Sequence, residues 1–174
     1  MVNVHVAHDC HIGDNVIMAN NVMLAGHVSI GNRAFISGAV GIHQFCRVGA
    51  FAMVGGQAHI TQDIPPFVTV DGQSSLIVGL NKIGLKRAGF SDTEMKELKE
   101  AYRIIYRSGA RWAEVLEQLK AQFSTGAAAA FSSFFAEGKR GFVQERRTPP
   151  SATIKLVTSG EEPKSDSEEV RKVG

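Results

Sequence analysis

Very little in this sequence would staple it, charge it or carry it through a lipid layer. It has two cysteines in 174 residues, too few for a disulfide scaffold. Its 19 basic and 17 acidic residues leave a net charge of +2, which excludes a broad nucleic-acid-binding surface. No run approaches the roughly eighteen consecutive apolar residues of a membrane span. The N-terminus also lacks a basic segment followed by an apolar one. The composition therefore predicts a cytoplasmic chain without a membrane span. Histidine is absent beyond residue 59.

What the chain does have is a period. An aliphatic side chain recurs at every sixth residue: Val6, Ile12, Met18, Leu24, Ile30, Ile36, Ile42, Val48, Val54 and Ile60. The residue two before each is small or apolar, from Val4 and Cys10 through Ala52 and Ala58. Such a hexad repeat predicts a parallel β-helix in which each hexad forms one flat side of a triangular coil and the aliphatics stack inward. Residues eighteen apart then lie over one another at the inter-strand spacing of about 4.8 Å. His5, His8, His11, His27, His43 and His59 all fall on outward positions, free for chemistry. Cys10 and Cys46 fall inward, two turns or roughly 9 to 10 Å apart. That is too far for a disulfide, so they are read as buried free thiols.

The pattern stops at Asp63-Ile64-Pro65-Pro66, where two prolines cannot supply the donors of another rung. Residues 1–66 are thus assigned to the β-helix. Residues 67–90 are assigned to a loop and linker with one extended piece at Phe67 to Val70. Ser91 and Glu94 form a capping box, and Met95, Leu98, Tyr102 and Ile105 make one apolar stripe. A second helix is expected from about Arg111 to Phe123, and a third around Phe131, Phe134 and Phe135. This makes 91–141 a small α-helical domain. Residues 142–174, rich in Pro, Ser, Glu and Lys, are assigned to a disordered tail.

Several ordered motifs now stand together: Ala7-His8-Asp9-Cys10, Leu24-Ala25-Gly26-His27-Val28, His43-Gln44-Phe45-Cys46, Met53-Val54-Gly55-Gly56, Gln62-Asp63-Ile64-Pro65-Pro66 and Gly84 to Phe90. In sequence and spacing, through Ile105 to Gly109 and on to about Gly141, they resemble the acyl-[acyl-carrier-protein] UDP-N-acetylglucosamine O-acyltransferases. The resemblance implies a left-handed parallel β-helix followed by a small C-terminal α-helical domain, assembled as a homotrimer with active sites between subunits. It further implies transfer of an (R)-3-hydroxyacyl group from acyl carrier protein to the 3-hydroxyl of UDP-N-acetylglucosamine, the first step of lipid A biosynthesis, with no metal and no cofactor.

Carried over residue by residue, the resemblance makes His8 the general base, Asp9 its support and the Gly26 N–H the oxyanion donor. His5, His27, His43 and Gln44 become substrate-binding residues. Gly56 becomes the acyl-length ruler, and Asn81 and Arg87 stand near the nucleotide phosphates and the phosphopantetheine arm. Ala88 departs from relatives that carry a second Arg there. The lattice independently stacks Gly26 on His8 and Gln44 on Gly26. The alternative for Gly26 and Gly56 is a corner glycine needed only for backbone conformation.

Three further readings compete. His5, His8 and His11 suggest zinc, as in β-helical carbonic anhydrases, but one hexad separates His5 from His11 and puts them on different sides of the triangle. A related N-acyltransferase shares the coil and the base but not the Gly84 to Phe90 segment. Family members also carry more coils before the base. The chain is therefore expected to be a fragment or mis-started form of the transferase, or a shortened homologue serving as a structural or regulatory trimer subunit.

Overall fold

The computed structural model describes residues 1–147. Two-residue strands alternate with tight corners and wind into three flat faces. The first face stacks β1 (His5–Val6), β4 (Met23–Leu24), β7 (Gly41–Ile42) and β10 (His59–Ile60). The second stacks β2 (His11–Ile12), β5 (Ser29–Ile30) and β8 (Arg47–Val48). The third stacks β3 (Ile17–Met18), β6 (Phe35–Ile36) and β9 (Met53–Val54), and is extended by β11 (Val68–Val70) and β12 (Ile77–Leu80). Pairing within the coil is parallel and in the expected register, with Val6 on Leu24, Ile12 on Ile30 and Met18 on Ile36.

Each corner turns on one residue in the left-handed backbone region, again with a period of six. From Asn3 and Asp9 through His27 and Phe45 to Gln57, φ lies between 54° and 64°. From Asn21 onward the amide of each such residue donates to the coil before it, as His27 does to the His8 carbonyl and Phe45 to the Gly26 carbonyl. Asn and Asp, which tolerate this conformation, fill the early corners.

The aliphatic stack forms a dry interior. Leu24, Ile36 and Val54 are fully buried, whereas Val6 and Ile12 in the first coil are 42% and 39% exposed. Cys46 is buried and Cys10 partly so, both as free thiols. Burial pushes the Cys46 thiol up to about 11, which keeps it protonated and unreactive.

The prolines do not end the coil. Ile64 bridges to Val48, and β11 pairs parallel with β9, placing Val70 on Val54. The last coil therefore advances sixteen residues per turn instead of eighteen. Pro66 occupies the place held below by Asn32 and Ala50, whose amides join no backbone ladder. Pro65 occupies the place of Gly31 and Gly49, whose amides pair with the coil above. Among the described residues no coil lies above Pro65, so its missing donor leaves no bond unmade.

The helical part is α1 (Lys82–Arg87), α2 (Asp92–Arg107), α3 (Trp112–Gln122) and α4 (Ala129–Ala136). The Ser91 and Glu94 box is present in full at the start of α2. A second core joins Phe67, Leu85, Leu98, Ile105, Leu119 and Phe131, so the helices pack on one another and on the last coil. Among the described residues no helix is long and apolar enough to cross a membrane.

Two further features depart from the sequence expectation, and a third was not anticipated by it. Residues 67–90 are not only linker: β12 hairpins against β11, and α1 starts at Asn81, whose side chain accepts from the Gly84 amide and donates to the Phe51 carbonyl. Residues 142–146 return to the body instead of joining a tail. Phe142 bridges to Asp63, Glu145 bridges to Ile77, and Val143 is buried. The expected disorder of the remaining tail lies outside the described residues. Finally, Asp63 is 2% exposed and bound by Arg47 through Nε at 2.8 Å, while the same guanidinium donates to the Phe134 carbonyl and lies over the Phe134 ring. This pair ties the coil to α4.

Candidate active site

The corner between the first and second faces carries His8-Asp9, Gly26-His27 and Gln44-Phe45 on three successive coils. His8 follows β1, and its side chain is 72% exposed. Its Nδ1–H donates to Asp9 Oδ2 at 2.8 Å, which leaves Nε2 with a free lone pair, beside Gly26. The bond is possible between neighbours because Asp9 is the left-handed corner residue, with φ 59°. The His8 bond holds the Asp9 carboxyl below the usual carboxylate range, with nearby His27 and His11 acting in the same direction. The result is an imidazole base with a fixed tautomer and an anion behind it.

Gly26 is required here by space, not by backbone conformation. Its φ is not positive; the left-handed place belongs to His27. A Cβ on Gly26 would instead stand 2.7 Å from the His8 ring, so only glycine leaves room for that ring. Among the described residues the Gly26 N–H donates to no protein acceptor, and it lies beside the base.

His27 closes the group. Its ring meets His8 edge-on at 5.1 Å, and its Nε2 stands 3.7 Å from the same Asp9 oxygen. Phe45, one coil on, stacks on His27 at 4.7 Å between centroids with 10° between planes. His5 and His43 flank the corner along the first face, where they and His59 border an open groove of about 470 Å³ across Gly41. The His43 Nδ1–H is turned to the Gln44 carbonyl.

The other expected residues sit elsewhere on the prism. Gly56 lies at the corner between the third and first faces, also without a positive φ. A Cβ there would make only ordinary contacts, the nearest being the Gly38 carbonyl at 3.4 Å. Asn81 and Arg87 cap and end α1, beside the corner between the second and third faces. Within one chain, then, His8, Gly56 and the pair Asn81 and Arg87 stand at three different corners.

A metal centre drawn from His5, His8 and His11 is not assembled: β1 and β2 lie in different faces. The cluster that does form is His8, Asp9 and His27, with ligand atoms all within 4.8 Å of one another. All three side chains are exposed.

Sequence reading gave Phe45 no role and left His59 as an outward histidine without one. A signal for Phe45 was present, since it lies eighteen residues past His27 in the same column. Only the structure shows that the two rings are parallel.

Comparison with known proteins places this corner in context. Residues 63–143 match the family model described as UDP-N-acetylglucosamine O-acyltransferase, domain 2. A curated acyl-[acyl-carrier-protein]–UDP-N-acetylglucosamine O-acyltransferase of Gloeothece citriformis is 53% identical over 120 residues, covering 69% of this chain and 44% of the relative. The protein of that name in Herminiimonas arsenicoxydans is 43% identical over 149 residues, covering 83% and 57%. Among solved structures, the UDP-N-acetylglucosamine acyltransferase of Francisella novicida superposes with a TM-score of 0.80 at 37% identity, over 84% of this chain and 54% of that one. The Moraxella catarrhalis O-acyltransferase gives 0.79 at 42% identity, over 82% and 56%. The chain spans about half the length of the relatives it matches.

Proposed function

Because the chain belongs to the UDP-N-acetylglucosamine O-acyltransferase family, we propose that it transfers an (R)-3-hydroxyacyl group from acyl carrier protein to the 3-hydroxyl of UDP-N-acetylglucosamine. The reaction opens lipid A biosynthesis and would take place in the cytoplasm. One observation carries the chemistry: His8 holds Asp9 through Nδ1 and sets Nε2 against a glycine whose amide is free.

In this reading His8 Nε2 takes the proton of the sugar 3-hydroxyl as its oxygen attacks the thioester carbonyl. The carbonyl oxygen becomes an oxyanion, which the Gly26 N–H receives. Asp9 stabilises the imidazolium. Collapse re-forms the carbonyl, breaks the C–S bond and expels the phosphopantetheine thiolate, which takes the proton from His8. No metal or cofactor enters. His5, His27, His43 and Gln44 contact substrate around the base, Arg87 and Asn81 serve the phosphates, and Gly56 leaves room for the acyl tail.

The distribution of these residues over three corners supports a homotrimer. One chain cannot gather them, but a neighbouring copy can bring its own corner against His8 and wall in an otherwise open base. The deciding experiment offers the purified protein (R)-3-hydroxyacyl-acyl carrier protein with UDP-N-acetylglucosamine or with its 3-amino analogue. Ester formation with the former supports the reading, and amide formation with the latter alone replaces it by an N-acyltransferase. No product from either, with the fold intact, refutes it.

A further inference from the structure

We propose that Phe45 is a positioning residue for the base, acting through His27; the inference rests on the transferase reading above. Asp9, His27 and Phe45 occupy one column, each on its own coil and each at the left-handed corner place, with φ of 59°, 60° and 63°. The coil thus aims three side chains from one backbone geometry, and they meet in sequence. The Phe45 ring is parallel to the His27 ring, His27 is edge-on to His8, and both imidazoles face one Asp9 oxygen.

The two imidazoles are not equivalent. His8 Nδ1 is within hydrogen-bond distance of Asp9, at 2.8 Å, whereas His27 Nε2 is held off at 3.7 Å, beyond a direct bond. Both imidazoles approach the same oxygen, Asp9 Oδ2, so a closer His27 would compete with His8 for it. What keeps His27 at the longer distance is the face of Phe45 against its ring, because His27 is an exposed side chain otherwise free to rotate. With the stack in place, Asp9 supports the base. Without it, His27 closes on Asp9 and takes the carboxylate.

The groups that act electrostatically on Asp9 are His8, His27 and His11. The coils stacked on this corner bring Gly26, Gln44 and Phe45, all uncharged, and His43 is turned to the Gln44 carbonyl. Phe45 is 52% exposed, so truncation leaves the aliphatic interior untouched.

The test follows histidine titration by NMR in the ¹⁵N-histidine-labelled chain, as wild type, Phe45→Ala, Phe45→Leu and Phe45→Tyr, alongside steady-state transfer. Loss of the aromatic face in the Ala and Leu variants raises the His27 midpoint and lowers that of His8. The Tyr variant restores both. In the same Ala and Leu variants kcat falls roughly three- to tenfold, the scale of one aromatic pair, whatever change in KM the displaced His27 brings. Midpoints that stay put or move the other way overturn the proposal, as does a rise in KM with kcat preserved, which would make Phe45 a substrate contact. Wild type that transfers nothing would sink the transferase reading, and the titrations would still decide whether Phe45 sets the His27 position.

Discussion

The His8 imidazole brings Cε1 and Nε2 against Gly26, so close that even a methyl group on that glycine would overlap the ring. Gly26→Ala should therefore displace the base and shield the amide together while leaving the backbone allowed. The expected outcome is a transfer rate at least tenfold lower with an unchanged melting temperature, measured by steady-state assay and circular dichroism. A rate within twofold of wild type would show that the ring has no need of this place.

His8→Ala removes the proposed base outright. A positioned general base contributes about 10² to 10⁴ in rate, and loss on that scale is expected with folding intact, since the side chain stands outside the core. Normal turnover by this variant would dismiss His8 from the mechanism.

Asp9 sets a direction with pH. Its carboxyl is held below the ordinary range chiefly by the His8 bond. A group depressed in the folded state contributes above its unfolded value and loses that contribution as pH falls through its folded one. Support for His8 should thus be intact at neutral pH and fade only below about pH 4. Asp9→Asn should lower kcat and move the acidic limb of the rate profile, which reports His8, to lower pH. A limb that does not move would mean the two side chains are not coupled.

The corner rule also revises how the glycines are read. Because the following residue takes the left-handed turn, neither Gly26 nor Gly56 is needed for backbone freedom, and a Cβ on Gly56 would meet only ordinary contacts. Gly56→Met should shift acyl preference toward shorter chains by at least tenfold in kcat/KM without unfolding the protein. Competition between acyl carrier proteins bearing long and short chains would read this directly, and an unaltered preference would remove Gly56 from the acyl site.

Asp63→Ala leaves Arg47 inside the joint between coil and α4 without its buried anion, with only the exposed Glu137 carboxylate at 3.5 Å. Removing one partner of a buried pair costs about 3–5 kcal/mol, and chemical denaturation should show a loss of that order. A change below about 1 kcal/mol would mean that the Phe134 contacts alone hold the joint.

The hexads made the coil, its register and the outward histidines legible, and the Ser91 box marked α2 because capping is local. What stayed hidden depended on contacts between distant segments. Arg47 and Asp63 find each other only after the chain has wound, and Phe142 and Val143 look like tail until Asp63 and Ile77 are seen to pair with that stretch. Two misses had local signals. Asn81 before Lys82 is an ordinary helix cap, and the run of Asn and Asp at Asn3, Asp9, Asn15 and Asn21 spelled out the left-handed corners. The prolines misled because their cost depends on whether another rung needs their donors.

The shortened last coil sets a rule for natural length variation. Inserting or deleting two residues below it would rotate every later column against its neighbours, moving His27 off Asp9 or Phe45 off His27. At the final turn, where Val70 sits on Val54 after sixteen residues, no further coil among the described residues has to inherit the offset. Length changes other than whole turns should therefore be tolerated at the helical end of the coil and excluded from the stretch that aligns the histidines.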